Sequence, residues 1–331
     1  MPAKSFDVVA IGNAIVDVLT HTDESFLESH GMVKGSMLLI DEDAAHQIYA
    51  DMGPAVEASG GSAGNTAAGI ASLGGRVGFV GRIRDDQLGE VYAHDIRSIG
   101  VDYRVPAATD GPATARCFIF ITSDAQRTMN TFLGASSLLS PADVDPEFVA
   151  QAEIVYCEGY LWDLPDAKAA LTKGMDAARE AGAKVAFTLS DSFCVDRHRA
   201  EFVELAESRI DILFANEAEI LSLYEVDTFE EAADRVAGHC EIACLTRSEK
   251  GSVVITSAGE RIDVPAHPTE VVDTTGAGDL YAAGFLFGLT HGHSLTDSAR
   301  LASLAAAEVI SHVGPRPAVD LQALAASELG L

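Results

Sequence analysis

Basic residues are scarce in this chain. Its 331 residues hold 22 Lys and Arg against 50 Asp and Glu, a formal net charge of −28. A field of that sign repels nucleic acid and anionic lipid, so neither is expected as a partner. Long apolar runs are missing too: no stretch of about 18 charge-free apolar residues occurs, so no membrane-spanning helix is expected. The opening Met1-Pro2-Ala3-Lys4-Ser5-Phe6-Asp7 reaches an acid before any apolar core, unlike a secretory signal. Cysteine is sparse. Cys117, Cys157, Cys194, Cys240 and Cys244 are odd in number and irregular in spacing, with no CxxC pair, the usage of a reduced, cytoplasmic chain. His239 lies beside Cys240 and Cys244, and His291 near His293, but neither group supplies the full ligand set of a closed zinc site.

What is present is a hydrophobic fraction of 48%, too high for a disordered chain and enough for one large core. The runs Val8–Ile11, Val77–Val80, Ile154–Cys157, Val185–Leu189, Ile210–Phe214 and Ile242–Leu245 read as buried strands. Helical patterns over Ala67–Leu73, Leu88–Ile99, Ala167–Ala181, Phe202–Ala206 and Ala218–Leu223 separate most of them. The segment from Ala277 to Leu324 is mostly helical, with a break at Gly314-Pro315-Arg316-Pro317. This alternation implies an α/β fold, a doubly wound and mostly parallel sheet with helices on both faces. Two stretches break it. Ile15–Thr20 with Ser36–Ile40, and Thr114–Thr122 with Arg127–Leu133, read as further strands, the second pair joined by the polar turn Ser123-Asp124-Ala125-Gln126. They predict a small β-sheet lid made of two insertions, at about 14–41 and 108–134, on a single domain spanning 1–331.

The chemistry concentrates in Asp273-Thr274-Thr275-Gly276-Ala277-Gly278-Asp279, which runs into a helical pattern from Leu280. Small residues at a helix start let a ligand approach the backbone. The N–H groups of Gly276, Ala277 and Gly278 would face it as unpaired donors at the positive end of the helix dipole. An acid at Asp279 would repel an anion that is merely bound. It makes sense as a base taking a proton from a hydroxyl that attacks the bound phosphorus; the plainer alternative is a first-turn acid facing the dipole. No G-x-x-x-x-G-K-[ST] occurs and no G-x-G-x-x-G opens a helix after the first strand, so P-loop and dinucleotide-binding readings drop out. In Ser59-Gly60-Gly61-Ser62-Ala63-Gly64-Asn65 the glycines allow a turn pressed against a ligand, and Asn65 offers donor and acceptor to a polyol. An ordinary glycine turn before a helix reads equally well. Asn216-Glu217-Ala218-Glu219 follows a strand, at the edge where open α/β sheets bind ligands, and also has the spacing of a capping box.

Together these segments resemble the ribokinase family of carbohydrate and nucleoside kinases, also called the phosphofructokinase B group, over nearly the whole chain. The specific part is Asp273–Asp279 followed by Ala283-Gly284. Within the family, Gly12-Asn13-Ala14-Ile15-Val16-Asp17 and Glu158-Gly159-Tyr160-Leu161 are most similar to the adenosine kinases. The resemblance implies the ribokinase-like fold and an ATP-dependent phosphotransferase acting on the 5′-hydroxyl of a nucleoside, adenosine to AMP. A kinase of a free sugar (ribose, fructose or a ketosugar acid) is the near alternative, and a binding module without turnover the distant one. By the resemblance, Asp279 is the base, and Gly276, Ala277 and Gly278 form the anion hole. Asn216 and Glu219 would hold Mg2+ and its water around the ATP phosphates, and Thr246 and Gly251 would end the loop lying along ATP. Ser303 stands where some relatives have an Asn near the adenine of ATP. Asp17, Gly60, Gly61 and Asn65 would bind the sugar, and Asn13 and Tyr160 the base, although an aromatic at Tyr160 also reads as core. Asp273, Thr275 and Gly314 match positions that bind a monovalent cation such as K+ in many members, with His312 standing in for a cation-loop residue of another type. Arg116, on a lid strand, either reaches the substrate or is solvated. The implied partners are ATP and a small-molecule substrate, the chain being a monomer or a homodimer.

Overall fold

The computed structural model describes residues 4–124 and 126–331. Ala125, in the turn expected between two lid strands, and Met1–Ala3 of the opening segment lie outside the described residues. In chain order the strands are β1 (Phe6–Ile11), β2 (Ile15–His21), β3 (Met37–Leu39), β4 (Val56–Gly60), β5 (Val77–Val80), β6 (Asp102–Tyr103) and β7 (Ala115–Ile121). They continue as β8 (Arg127–Phe132), β9 (Ala152–Glu158), β10 (Lys184–Thr188), β11 (Ile212–Asn216), β12 (Ile242–Thr246), β13 (Ser252–Thr256) and β14 (Arg261–Val264). One sheet has the order β14-β13-β12-β11-β10-β9-β1-β5-β6, and a second the order β3-β8-β7-β2-β4. The large sheet is parallel from β12 to β6, and β13 and β14 extend it antiparallel. This is the α/β architecture expected from the alternating pattern, with the smaller sheet set apart from it.

The sequence explains the core directly. β1 is buried along its whole length and β9 nearly so, as strands covered on both faces must be. The one acid in β1, Asp7, is matched by Arg76, whose backbone N–H and Nη2 donate to its carboxylate at 2.8 and 2.6 Å. The helices Ser62–Ser72 and Ala277–Thr290 both lie against β1 and touch one another. They approach so closely that a Cβ at Gly69 would fall 2.6 Å from that of Ala283. That contact holds the first turns of the two helices, and with them Asn65 and Asp279, side by side. Among the described residues no helix is long and apolar enough to cross a membrane.

Three readings need correction. Val56–Gly60 pairs antiparallel with β2, so the first insertion runs on to Gly60 rather than ending near 41; Ser59-Gly60 reads in sequence only as the approach to a glycine turn. The apolar run directly behind the Gly251 turn, not among the strands read from the sequence, is β13 and pairs antiparallel with β14. The helix expected over Phe202–Ala206 covers Ser192–Ser208, with a bend at His198, where φ is −121° and ψ is 16°.

Candidate active site

The carboxyl ends of β1, β9, β10, β11 and β12 share one edge of the large sheet, the edge at which open α/β sheets take their ligands. The second sheet stands over it, and between them lies a cavity of about 360 Å³. Asp17, Gly61, Asn65, Tyr160, Asn216, Glu219, Thr246, Thr275, Gly276, Ala277, Gly278 and Asp279 all line this one cavity, from widely separated parts of the sequence. Asn13, Gly60, Gly251, Ser303, Asp273 and Gly314 do not line it.

Helix Ala277–Thr290 starts from Gly276, whose φ of +80° is left-handed, and a Cβ there would lie 2.8 Å from Pro315 O. Among the described residues the N–H groups of Gly276 and Gly278 have no partner, but Ala277 N–H is donated to Thr274 O at 3.3 Å. Of the three backbone donors expected to be free at this helix start, two are. A Cβ at Gly278 would meet nothing within 4 Å, so packing does not demand glycine there. Asp279 Oδ1 accepts from Ser62 Oγ at 2.6 Å and Oδ2 from Asn65 Nδ2 at 2.9 Å. Burial pushes its carboxyl up to about 6, against the two donors and Arg316, which hold it down.

Asp17 faces the cavity and accepts no hydrogen bond from any described residue. Burial pushes it up to about 7; Arg316 lowers it and Asp279 raises it. Gly60 supports it from behind, with no room for a side chain: a Cβ would sit 2.5 Å from Asp17 Cγ. Gly60 therefore positions the acid and does not itself meet the cavity. Asn13 also departs from expectation. Its N–H and Nδ2 both donate to Glu158 Oε1, at 2.7 and 2.6 Å, while Ala63 N–H donates to Glu158 Oε2 at 2.9 Å. That buried carboxylate, raised to about 7 by burial, ties β1, β9 and helix Ser62–Ser72 together. Asn65 lines the cavity, but its amide is occupied: Nδ2 serves Asp279 and Oδ1 accepts from Arg316 Nε at 3.0 Å. Tyr160 is 37% exposed, with its hydroxyl donating to Ser190 O at 3.2 Å, so it is a wall of the site and not core.

Where β11 runs into the helix Glu217–Tyr224, Asn216 and Glu219 form a reciprocal capping box: Glu219 N–H donates to Asn216 Oδ1 and Asn216 N–H to Glu219 Oε2, each at 2.9 Å. The same two residues cap the helix and line the cavity. Burial raises Glu219 to about 7. Thr246 is in place, whereas Gly251, with a φ of +86°, only closes the turn into β13. Ser303 is committed elsewhere, accepting from His267 N–H at 2.8 Å and donating to Pro265 O at 3.2 Å. Asp273 points into the loop: its oxygens accept from Thr275 N–H and Gly314 N–H, both at 3.0 Å, and Arg127 of β8 forms an ion pair with it. His312 is turned to Glu308 at 3.2 Å. Arg116 neither reaches the cavity nor meets solvent; it is buried among the rings of Tyr49, Phe118 and Phe132.

The family model for pfkB family carbohydrate kinases matches residues 48–321. This chain belongs to that family. Among solved structures it is similar to the adenosine kinase from Sinorhizobium meliloti, 54% identical, covering 97% of this chain and 99% of that one with a TM-score of 0.90. It is also similar to a probable sugar kinase protein from Rhizobium etli CFN 42, 50% identical, covering 98% of each chain with a TM-score of 0.91. A curated relative, the 5-dehydro-2-deoxygluconokinase of Bacillus subtilis, is 26% identical over 317 residues, 93% of this chain and 91% of its own.

Kinases of the pfkB family transfer a phosphoryl group from ATP, generally with Mg2+. Among the described residues no group of three or more His, Cys, Asp or Glu converges as a metal cage. The oxygen donors that line the cavity and suit a hard cation are the Asn216 amide and the Glu219 carboxylate. The potassium expectation fits less well, because Arg127 already supplies the counter-charge to Asp273. Four neighbours of the site escaped the sequence reading. Ser62 and Glu158 lie inside the informative segments but look ordinary there, and Arg127 and Arg316 carry no local signal at all.

Proposed function

We propose that this pfkB-family kinase transfers the γ-phosphoryl group of ATP to the 5′-hydroxyl of a nucleoside, adenosine first among them, giving AMP and ADP. The observation that carries the substrate class is the wall contributed by the second sheet: beside Asp17 and Thr131 it is apolar, with Ile15, Cys117, Ile119 and Met129, and no cation of that sheet lines the cavity. An uncharged flat base suits that wall. A ketosugar acid would bring a carboxylate to it, and an unpaired buried charge costs several kcal/mol or more. Asp17, which accepts from no described protein donor, is free to accept from two ribose hydroxyls. The 54% identity to an adenosine kinase supports the same reading.

The chemistry follows from the groups in place. Asp279 accepts the proton of the 5′-hydroxyl as its oxygen bonds to the γ-phosphorus and the bond to the ADP oxygen breaks. The free N–H groups of Gly276 and Gly278, at the positive end of the helix, stabilise the charge on the transferring group. Arg127, delivered to the same loop by the second sheet, adds a positive charge. Mg2+ near Asn216 and Glu219 supplies charge neutralisation to the nucleotide when bound. The second sheet acts as a lid that keeps water from the phosphoryl group.

A free-sugar kinase is the second reading, favoured by the name of the Bacillus subtilis relative. ADP release is measured with adenosine, inosine, ribose, fructose and 5-dehydro-2-deoxygluconate. The proposal expects kcat/KM for adenosine to exceed that for the acid by at least about 100-fold. Brisk turnover of a free sugar with none of adenosine overturns it.

A further inference from the structure

Arg316 stands between Pro315 and Pro317 in the loop that follows the helix Leu295–Val309. Its guanidinium is placed among Asp17, Asp279, Asp95 and Tyr92, yet it forms no ion pair with any described residue. Its one recorded bond is Nε–H to Asn65 Oδ1 at 3.0 Å, and Nη2 is enclosed without a partner. It packs beside Gly64, where a Cβ would lie in ordinary contact, 3.7 Å from Nη2. The flanking prolines restrict the backbone on both sides. A guanidinium can only donate, so Asn65 must turn its oxygen to Arg316 and therefore its NH2 to Asp279. Without that constraint the amide can flip and present an oxygen to the carboxylate, which repels it.

We propose that Arg316 is a positioning residue for phosphoryl transfer, fixing the orientation in which Asn65 donates to Asp279. The inference rests on Asp279 being the base. The titratable and charged groups that face that carboxylate are Asp17 from β2, Tyr156 and Glu158 from β9, Tyr160 just after it, and Arg316 from the C-terminal loop. Helix Ser62–Ser72 contributes the two neutral donors, Ser62 and Asn65. Among the described residues Arg316 is thus the cation that acts on Asp279 in a ring of acids and phenols, and its orientation of Asn65 lets Asp279 remain an anion ready to take a proton.

The test is kcat at saturating substrates against pH, from about 5 to about 9, for wild type, Arg316→Met, Arg316→Lys, Asn65→Leu and Asp279→Asn. Arg316→Met and Asn65→Leu are expected to lower kcat near neutral pH about tenfold or more. They are expected to move its acid limb up by about one pH unit, because an anion has lost a favourable neighbour. Affinity for ATP is expected to stay within about twofold, and Arg316→Lys, which keeps a charge and a donor, to recover part of the shift. A residue that merely braces the loop would change thermal stability and leave the limb in place; an unmoved limb in Arg316→Met overturns the inference. If that variant does not fold, the limbs of Arg316→Lys and Asn65→Leu decide by the same criterion. Asp279→Asn separates the two levels: a variant within about tenfold of wild type removes the base assignment itself, and the positioning role with it.

Discussion

Gly60 and Gly278 make a paired perturbation whose effects the geometry separates. Neither has a left-handed φ, so alanine brings no backbone strain at either. At Gly60 a Cβ would sit 2.5 Å from Asp17 Cγ and 2.8 Å from Oδ1. Ordinary carbon contacts are about 3.5–4.0 Å, so the carboxylate must retreat by about 1 Å. A misplacement of that size in a positioning group can cost about 100-fold in rate. Gly60→Ala is therefore expected to raise KM for the nucleoside and lower kcat/KM about 10- to 100-fold, with KM for ATP nearly unchanged. Gly278→Ala is the mirror case. The open space at that position means the folded chain accepts the methyl, but it intrudes where the phosphoryl group must approach the backbone. Thermal stability stays within about 1 kcal/mol of wild type while kcat falls at least about tenfold. Steady-state kinetics in both substrates and a thermal melt for each variant are sufficient. A Gly60→Ala enzyme with an unchanged nucleoside KM refutes the reasoning about Asp17.

Three further outcomes follow from the same site. Asp17 and Asp279 work as anions with raised pKa values, about 7 and about 6, so activity is lost as pH falls: KM for the nucleoside climbs below about 7 and kcat drops below about 6, and a profile flat down to pH 5 would contradict this. Asn216→Ala removes one half of the capping box and is expected to cost about 1 kcal/mol in a denaturation experiment, together with a higher Mg2+ requirement in an ADP-release titration. Arg127→Met removes the lid cation beside the anion-hole loop and should reduce kcat about 10- to 100-fold with nucleoside KM little changed, whereas a loss below twofold would show the charge to be idle.

Much of the fold is legible because parallel strands buried on both faces need continuous apolar runs, and β1, β5, β9, β10, β11 and β12 have them. β4 is not legible. Glu57 and Ser59 within it break the pattern, and its partner β2 lies some forty residues earlier in the chain. Glycine-rich and polar signatures at strand ends mark the site because local chemistry makes them visible. What local chemistry hides is the shell behind them. Asn13 and Asn65 look like ligand-binding amides, yet one is bound to Glu158 and the other bridges Arg316 and Asp279. Those partners come from distant segments, and nothing in the spacing of the residues announces them. Arg116 misleads for the same reason: its ring of aromatics is assembled from both insertions.

The role of Asp279 is tested most directly by one substitution, Asp279→Asn, which keeps the size of the side chain and one of its two accepting oxygens and removes its capacity to take a proton. With adenosine and MgATP saturating, single-turnover formation of AMP is expected to fall by at least about 100-fold while ATP still binds with wild-type affinity. AMP formation within about tenfold of the wild-type rate would mean that the proton leaves by another route and that Asp279 is not the base.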